Sequence, residues 1–382
     1  MNQEYQIFEL EAKLKEEISG LEYEDEADDL GMDEIEGIPY CADDIRIDQK
    51  MFSLYQVFRW IQQGKLNLRP DFQRNFIWSR KKQSLLIESL MLKIPIPAFY
   101  FDEDAEGNRT VIDGLQRLST ISDFLEGKFR LYGLQYLINC NGKSFEELDK
   151  RYQMRIEDTQ LAINILDAKC PAMVKFDVFR RINTGGVPLN SQEVRNVMAN
   201  RRTQEFLLRL SQSEAFVSAT RGKIKDNRMG AQELCLRFVT YLVLYDRENK
   251  NFISFGEMNH LLDTAVIEIN RMDDSDLKIF EEQFATSMKR CIFLLGKQAF
   301  SKPSSNQIIN RALFISWSVI LANRDYSLEW CRKKSEKACI LQQKYLQADT
   351  DYFNAITSST SSRRNMLIQF HYVERILEEL DD

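Results

Sequence analysis

Apolar residues recur three and four apart over most of the second half of the chain, whereas the first half switches repeatedly between helical and alternating spacing. Leu54, Val57, Phe58 and Ile61 predict a helix over Ser53 to Gln62 that stops at Gly64. An extended piece follows from Leu66 to Arg74, with Phe76 and Trp78 just beyond it. Arg80 to Leu92 has an amphipathic helical pattern closed off by Pro95 and Pro97. Two short strands are predicted at Ala98 to Phe101 and Arg109 to Ile112, separated by a polar turn. At Asp113-Gly114 the period changes, and Leu118, Ile121, Phe124 and Leu125 form a helical stripe that ends at Gly127. A strand therefore runs into a helix through Asp-Gly. Leu161 to Leu166 has the look of a buried strand, and Pro171 to Ile182 that of a helix. Asn190, with Glu193 three residues on, is a capping-box signature.

Beyond Arg201 helical faces are predicted at Ala231 to Tyr245, His260 to Arg271, Asp276 to Gly296, Gln307 to Asn323, Leu328 to Tyr345 and Asn365 to Leu380. The expected architecture is α+β: a small mixed unit over residues 45–200, then an α-helical unit over 201–382. Residues 1–44 stand apart, with a short helix over Tyr5 to Ile18 and then a segment too acidic to fold alone. Residues 1–36 carry fourteen acidic side chains against Lys13 and Lys15. The tail alone thus holds a net −12 in a chain of net −7, and the rest is mildly basic at +5. Two readings stand: a solvated, largely disordered extension, or a tail that screens a basic groove.

Other classes are narrowed by what the chain contains. Its most apolar span, Leu313 to Ala322, is interrupted by Ser316 and Ser318 and is shorter than the ~20 residues of a membrane crossing. No amino-terminal stretch is basic and then apolar, so a soluble, cytoplasmic protein is expected. The seven cysteines form no C-x-x-C pair and fit reduced thiols. His260 and His371 are the two histidines, too sparse for a zinc site or an HNH-type nuclease centre.

Three segments carry candidate chemistry. In Asp113-Gly114-Leu115-Gln116-Arg117 a glycine at a strand-to-helix turn lets backbone approach a ligand, and first-turn amides favour an anion. Arg117 opposes the helix dipole there, at a cost of roughly 0.3–1 kcal/mol. Either a bound phosphate offsets this, or Arg117 pairs with Asp113 as a structural bridge. Asp71-Phe72-Gln73-Arg74, followed by Trp78, can hold phosphate and stack a base, or serve as a strand with polar edges. In Arg180 to Asn190 two glycines close a helix, and the paired arginines offer a second phosphate contact.

Taken in order, these segments resemble the DUF262 family, found at the amino terminus of GmrSD-type restriction enzymes. Pro70 to Trp78 follows P-x-x-Q-R-x-x-x-W, Asp113 to Arg117 follows D-G-Q-Q-R, and Phe179 to Arg195 follows F-x-R-I-N-x-G-G-x-x-L-x-x-x-E-x-R. Glu233 to Phe238 and Phe353 to Arg375 are similar to the family's later segments. The resemblance implies a ParB/sulfiredoxin-like fold that binds a nucleoside triphosphate with Mg²⁺ and supports its hydrolysis. By position it makes Asp113, Gln116 and Arg117 the catalytic residues, with Asp113 holding Mg²⁺ or orienting water. Gly114, Gln73 and Arg74 would line the phosphates, and Asn183 and Gly185 the rim. It also implies defence against foreign DNA, with DNA and a nuclease or methyltransferase as partners. Leu115 departs from the motif, standing where the family has its first Gln. That departure keeps open a second reading, a DNA-binding or adaptor protein without turnover. The HNH domain of GmrSD-type enzymes is not expected in this chain.

Overall fold

The structure is a computed structural model that describes residues 16, 19–22, 44–68, 78–182, 190–226, 228–254, 256–302 and 308–382. It divides the chain into one unit of Ile38–Leu189 and another of Met1–Gly37 with Asn190–Asp382. The division falls some ten residues before the boundary expected at 200, and the amino terminus belongs with the later helices.

The first unit is built on a five-stranded sheet of β1 (Ile47–Ser53), β2 (Leu66–Asn67), β3 (Phe99–Glu103), β4 (Arg109–Asp113) and β5 (Gln160–Leu166), in the order β1-β5-β3-β4-β2. Strands β1/β5 and β3/β4 pair antiparallel, while β3/β5 and β2/β4 pair parallel. The alternation of the central strands decides which face is dry. Phe99, Phe101, Ile163 and Ile165 are buried in one core with helices α1 (Leu54–Gln62), α2 (Arg80–Met91), α3 (Leu115–Leu125) and α4 (Lys150–Glu157). Asp102, of opposite parity, points to the other face and meets Lys175 of α5 (Ala172–Ile182), so α5 covers the sheet's second side.

The helices and inner strands lie close to where periodicity placed them. Strand β1 was not expected, and its burial explains why: as an edge strand it is exposed over its first five residues. No apolar alternation had to be written into it, and its Asp48–Lys50 pair keeps the edge charged. The extended segment expected from Leu66 to Arg74 is seen as the two-residue β2, and residues 69–74 lie outside the described residues.

The second unit is helical apart from a short hairpin of β6 (Tyr245–Asp246) and β7 (Asn251–Phe252). Its helices are α6 (Ser191–Met198), α7 (Arg201–Gln212), α8 (Glu214–Ala219), α9 (Gly230–Leu244), α10 (Met258–Arg271), α11 (Asp274–Leu295), α12 (Arg311–Ala322), α13 (Leu328–Ala348), α14 (Thr350–Ala355) and α15 (Arg363–Asp381). Asn190 opens α6 with the expected capping box, its side chain accepting from Glu193 N while Glu193 returns to its backbone. Helix α12 starts four residues later than periodicity suggested, because Asn310 caps it by accepting from Leu313 N at 2.8 Å. Every residue from Ala312 to Leu321 is buried. The hydroxyls of Ser316 and Ser318 are satisfied within the helix by Ala312 O and Ile315 O, so they cost the core little. Among the described residues no helix is long and apolar enough to cross a membrane.

The acidic extension is not wholly a solvated tail. Leu21 is 2% exposed and bridges in parallel to Ile309, with Glu22 N donating to Ile309 O and Ile309 N to Gly20 O. The Glu22 carboxylate meets Lys302 and Asn310, and burial raises its pKa. Gly20 is required at φ +74°, where a Cβ would come within 1.9 Å of Lys223 O. Net charge marked this stretch as unfolded, yet a buried leucine, a backbone bridge to Ile309 and the Glu22 contacts dock it. The helix expected over Tyr5 to Ile18 lies outside the described residues, Glu16 excepted.

Candidate functional site

Strand β4 ends at Asp113 and helix α3 begins at Leu115, so Gly114 alone makes the turn. Its φ of +97° lies in the left-handed region, and a Cβ there would meet the Phe99 ring at 2.2 Å. Glycine is therefore demanded twice, by conformation and by contact. No side chain caps α3, and its first turn holds no acidic residue. Gly114 as cap residue and the first turn thus bring no carboxylate of their own to the helix start, a feature of helix termini that accept phosphate.

Arg117 is committed inward. Its guanidinium donates to Pro97 O, to Ala98 O at 3.2 Å and to Asp113 Oδ2 at 2.8 Å, and it stacks over Phe99 at 4.5 Å from the ring centroid. Its side chain is 12% exposed. Burial pulls its pKa down while Asp113 pulls it back up, and it remains a cation. Of the two readings left open by the sequence, this geometry is that of the structural bridge. Arg117 ties the entry of β3 to the exit of β4 and sets where the Gly114 turn sits. Asp113, with one oxygen on Arg117, is half-exposed, as is Gln116. Leu115 packs partly buried against the core beneath the sheet, so its side chain is a packing element.

Asp113, Gly114, Gln116 and Arg117 are thus brought together at one turn. Gln73, Arg74, Asn183 and Gly185 lie outside the described residues. A triphosphate fits the turn's chemistry: a first helical turn with no acidic residue and a glycine that permits close approach. Among the described residues no cluster of three metal-ligating side chains exists. Mg²⁺ commonly keeps several waters and takes only one or two carboxylates plus phosphate oxygens, so Asp113 fits that modest role.

Sequence reasoning passed over two charge arrangements. Lys175 is 9% exposed and forms an ion pair with Asp102 on the α5 face of the sheet. The signal was a lysine between Val174 and Phe176 on an otherwise apolar face. In the helical unit Arg195, 1% exposed, donates to Asp263 at 2.9 Å, and Glu193 holds Arg228 at 2.7 Å. Glu233 pairs with Arg237; burial alone would raise its pKa, but Arg237, Arg311 and Arg195 bring it to about 2. Glu193, Arg195, Glu233 and Arg237 are the charged residues of the later motif segments, and the Arg195–Asp263 pair ties α6 to α10.

The fold and the turn define a mixed α/β unit with an uncapped strand–glycine–helix corner, joined in sequence to a helical unit. Residues 54–199 match the family described as GmrSD restriction endonuclease, N-terminal domain. The match begins at α1 and ends just beyond α6. A solved Pnob8-like ParB-N domain is similar over 88% of this chain and 99% of that one, with 11% identity and a TM-score of 0.23. A likeness at that level carries no argument about fold or function. Among curated proteins none matches.

Proposed function

We propose that the protein binds a nucleoside triphosphate with Mg²⁺ at the Asp113–Arg117 turn and hydrolyses it in a restriction-type defence against foreign or modified DNA. Cleavage of DNA would fall to a partner nuclease, or a methyltransferase partner would mark the DNA to be spared. The observation that supports this best is the glycine that tolerates no side chain at the start of α3, ahead of a first turn with no acidic residue. Its amides would hold phosphate oxygens, and Gln116 would stand beside them. Asp113 would hold the metal or orient water, and bound Mg²⁺ would offset developing phosphate charge. Arg117 would act by positioning Asp113 and the turn.

A second reading, DNA binding or adaptor function without turnover, is favoured by Leu115. It occupies a motif position where an amide would face the ligand, yet its side chain packs on the core. The two readings part on one comparison. Wild type and Leu115→Gln are assayed for Mg²⁺-dependent phosphate release and for a nucleotide-induced shift in Tm. On the hydrolytic reading, wild type releases phosphate, and Leu115→Gln raises turnover without tightening binding. A Tm shift with no phosphate release from either protein would support the second reading. No shift with any nucleotide would sink both as accounts of this turn.

A further inference from the structure

Helix α2 opens with Arg80, Lys81 and Lys82, all exposed, in a first turn that holds no acidic residue and so opposes the helix dipole. Among the described residues no carboxylate pairs with any of the three. Along the same helix runs the segment from Phe129 to Leu137. Arg80 lies over the Phe129 ring at 4.6 Å, and Ser84 Oγ accepts from Tyr132 N at 2.9 Å. The stem of Lys81 packs against Gly133, where a Cβ would meet its Cγ at 3.2 Å. The Glu88 carboxylate, itself 3% exposed, accepts from the amides of Gln135, Tyr136 and Leu137 at 3.0, 2.8 and 2.8 Å. Burial opposes that charge, but the three amides hold its pKa low.

Glu88 and Ser84 thus spend buried polar groups on fixing a segment that buries Phe129, Leu131 and Leu134 and turns its tyrosines to water. Tyr132 is 66% exposed, Tyr136 74% and Ile138 67%. The backbone amides of Tyr132 and Tyr136 are held by Ser84 and Glu88, residues about one helical turn or roughly 6 Å apart along α2, the helix whose first turn carries the cations. Lys143 lies beside the same segment, its carbonyl accepting from Leu131 N. The acidic neighbours are otherwise engaged: Glu147 by Arg130, and Asp123 and Glu126 by Lys128. Rigid exposed aromatics interleaved with unpaired cations form a platform on which bases stack while phosphates meet lysines.

We propose that this surface binds single-stranded DNA, with Tyr132 and Tyr136 stacking successive bases and Arg80, Lys81, Lys82 and Lys143 lining the backbone. It lies at the carboxy-terminal end of α3, roughly 16 Å along that helix from the Gly114 turn. The surface is therefore a site additional to the proposed nucleotide turn. Only the choice of DNA over RNA rests on the restriction-type reading.

Fluorescence anisotropy of a labelled dT oligonucleotide with the full chain tests the proposal. Replacing both tyrosines by alanine should weaken binding at least tenfold, and replacing both by phenylalanine should restore most of it. Lys81→Ala should flatten the log–log salt dependence by about 0.7. Asp113→Asn should leave oligonucleotide affinity unchanged while abolishing any nucleotide-induced Tm shift, so failure of one site is separable from failure of the other. No binding of dT by wild type at low salt, or equal affinity of wild type and the double alanine variant, would overturn the proposal. A protein captured through Tyr132 and Tyr136 in the absence of dT binding would overturn it in favour of a protein partner. Tighter binding of a matched RNA would overturn the choice of DNA.

Discussion

Gly114→Ala makes the sharpest test of the turn, because two separate costs fall on one methyl group. The first is conformational: φ of +97° is a region an L side chain enters at about 1–2 kcal/mol. The second is steric, since the new Cβ would sit 2.2 Å from Phe99 Cδ1 and 2.7 Å from Cε1. Phe99 is fully buried in the sheet's core and sandwiched by the Arg117 guanidinium, so it has little room to turn. Overpacking of that kind costs roughly 1–3 kcal/mol. Together the substitution should remove about 2–5 kcal/mol. Gly127→Ala is the control, because it shares a positive φ of +71° but has nothing within 4 Å of its Cβ. It should lose only the conformational part. Urea titrations of the two variants, compared at equal m-value, read the difference directly. If both lose the same amount, Phe99 yields freely and the tight packing behind the turn is not what requires glycine.

Three further outcomes follow from the geometry. Arg117→Ala should destabilise by about 2–4 kcal/mol, because it strands the carbonyls of Pro97 and Ala98 and removes the partner of Asp113; an unchanged urea midpoint would leave Arg117 to a ligand alone. Glu233 has its pKa drawn down from 4.5 to about 2, so its contribution is full above the unfolded value and is lost as pH falls from there towards 2. Glu233→Gln should therefore flatten the acid limb of the stability profile, removing about 3 kcal/mol at neutral pH, and identical acid limbs would refute this. Leu21→Ala should cost about 2–3 kcal/mol in the helical unit; a change within error would mean the docked segment adds nothing to stability.

How much of this was legible depended on whether a residue's neighbours lay close in sequence. The helices α3, α9 and α11 and the strands β3, β4 and β5 write their burial into local periodicity, and the Asn190–Glu193 box is spelled out within four residues. The Gly114 turn was legible for the same reason. Arg117 was legible only as an alternative, because its partners Pro97 and Ala98 are about twenty residues away. Strand β1 left little trace because an exposed edge selects no apolar face. The docking of Leu21 was hidden by fourteen acidic residues around it, since net charge is an average and one apolar contact is not. Lys175 and Asp102, seventy-three residues apart, had no local sign of each other.

The seating of Gly20–Glu22 against Ile309 also bears on how the chain is made. The sheet unit is one continuous run, Ile38–Leu189. The helical unit is discontinuous, closing a loop of nearly three hundred residues between Glu22 and Arg311. On a ribosome working from the amino terminus, the sheet can assemble while Leu21 still lacks its seat. That seat is complete only once α12, nearly three hundred residues further along the chain, has emerged. At about 5–20 residues per second, Leu21 is without its partner Ile309 for tens of seconds. Circular permutation that begins at Asn190 and joins Asp382 to Met1 would shorten the wait, and the rate of forming the helical unit should rise with it.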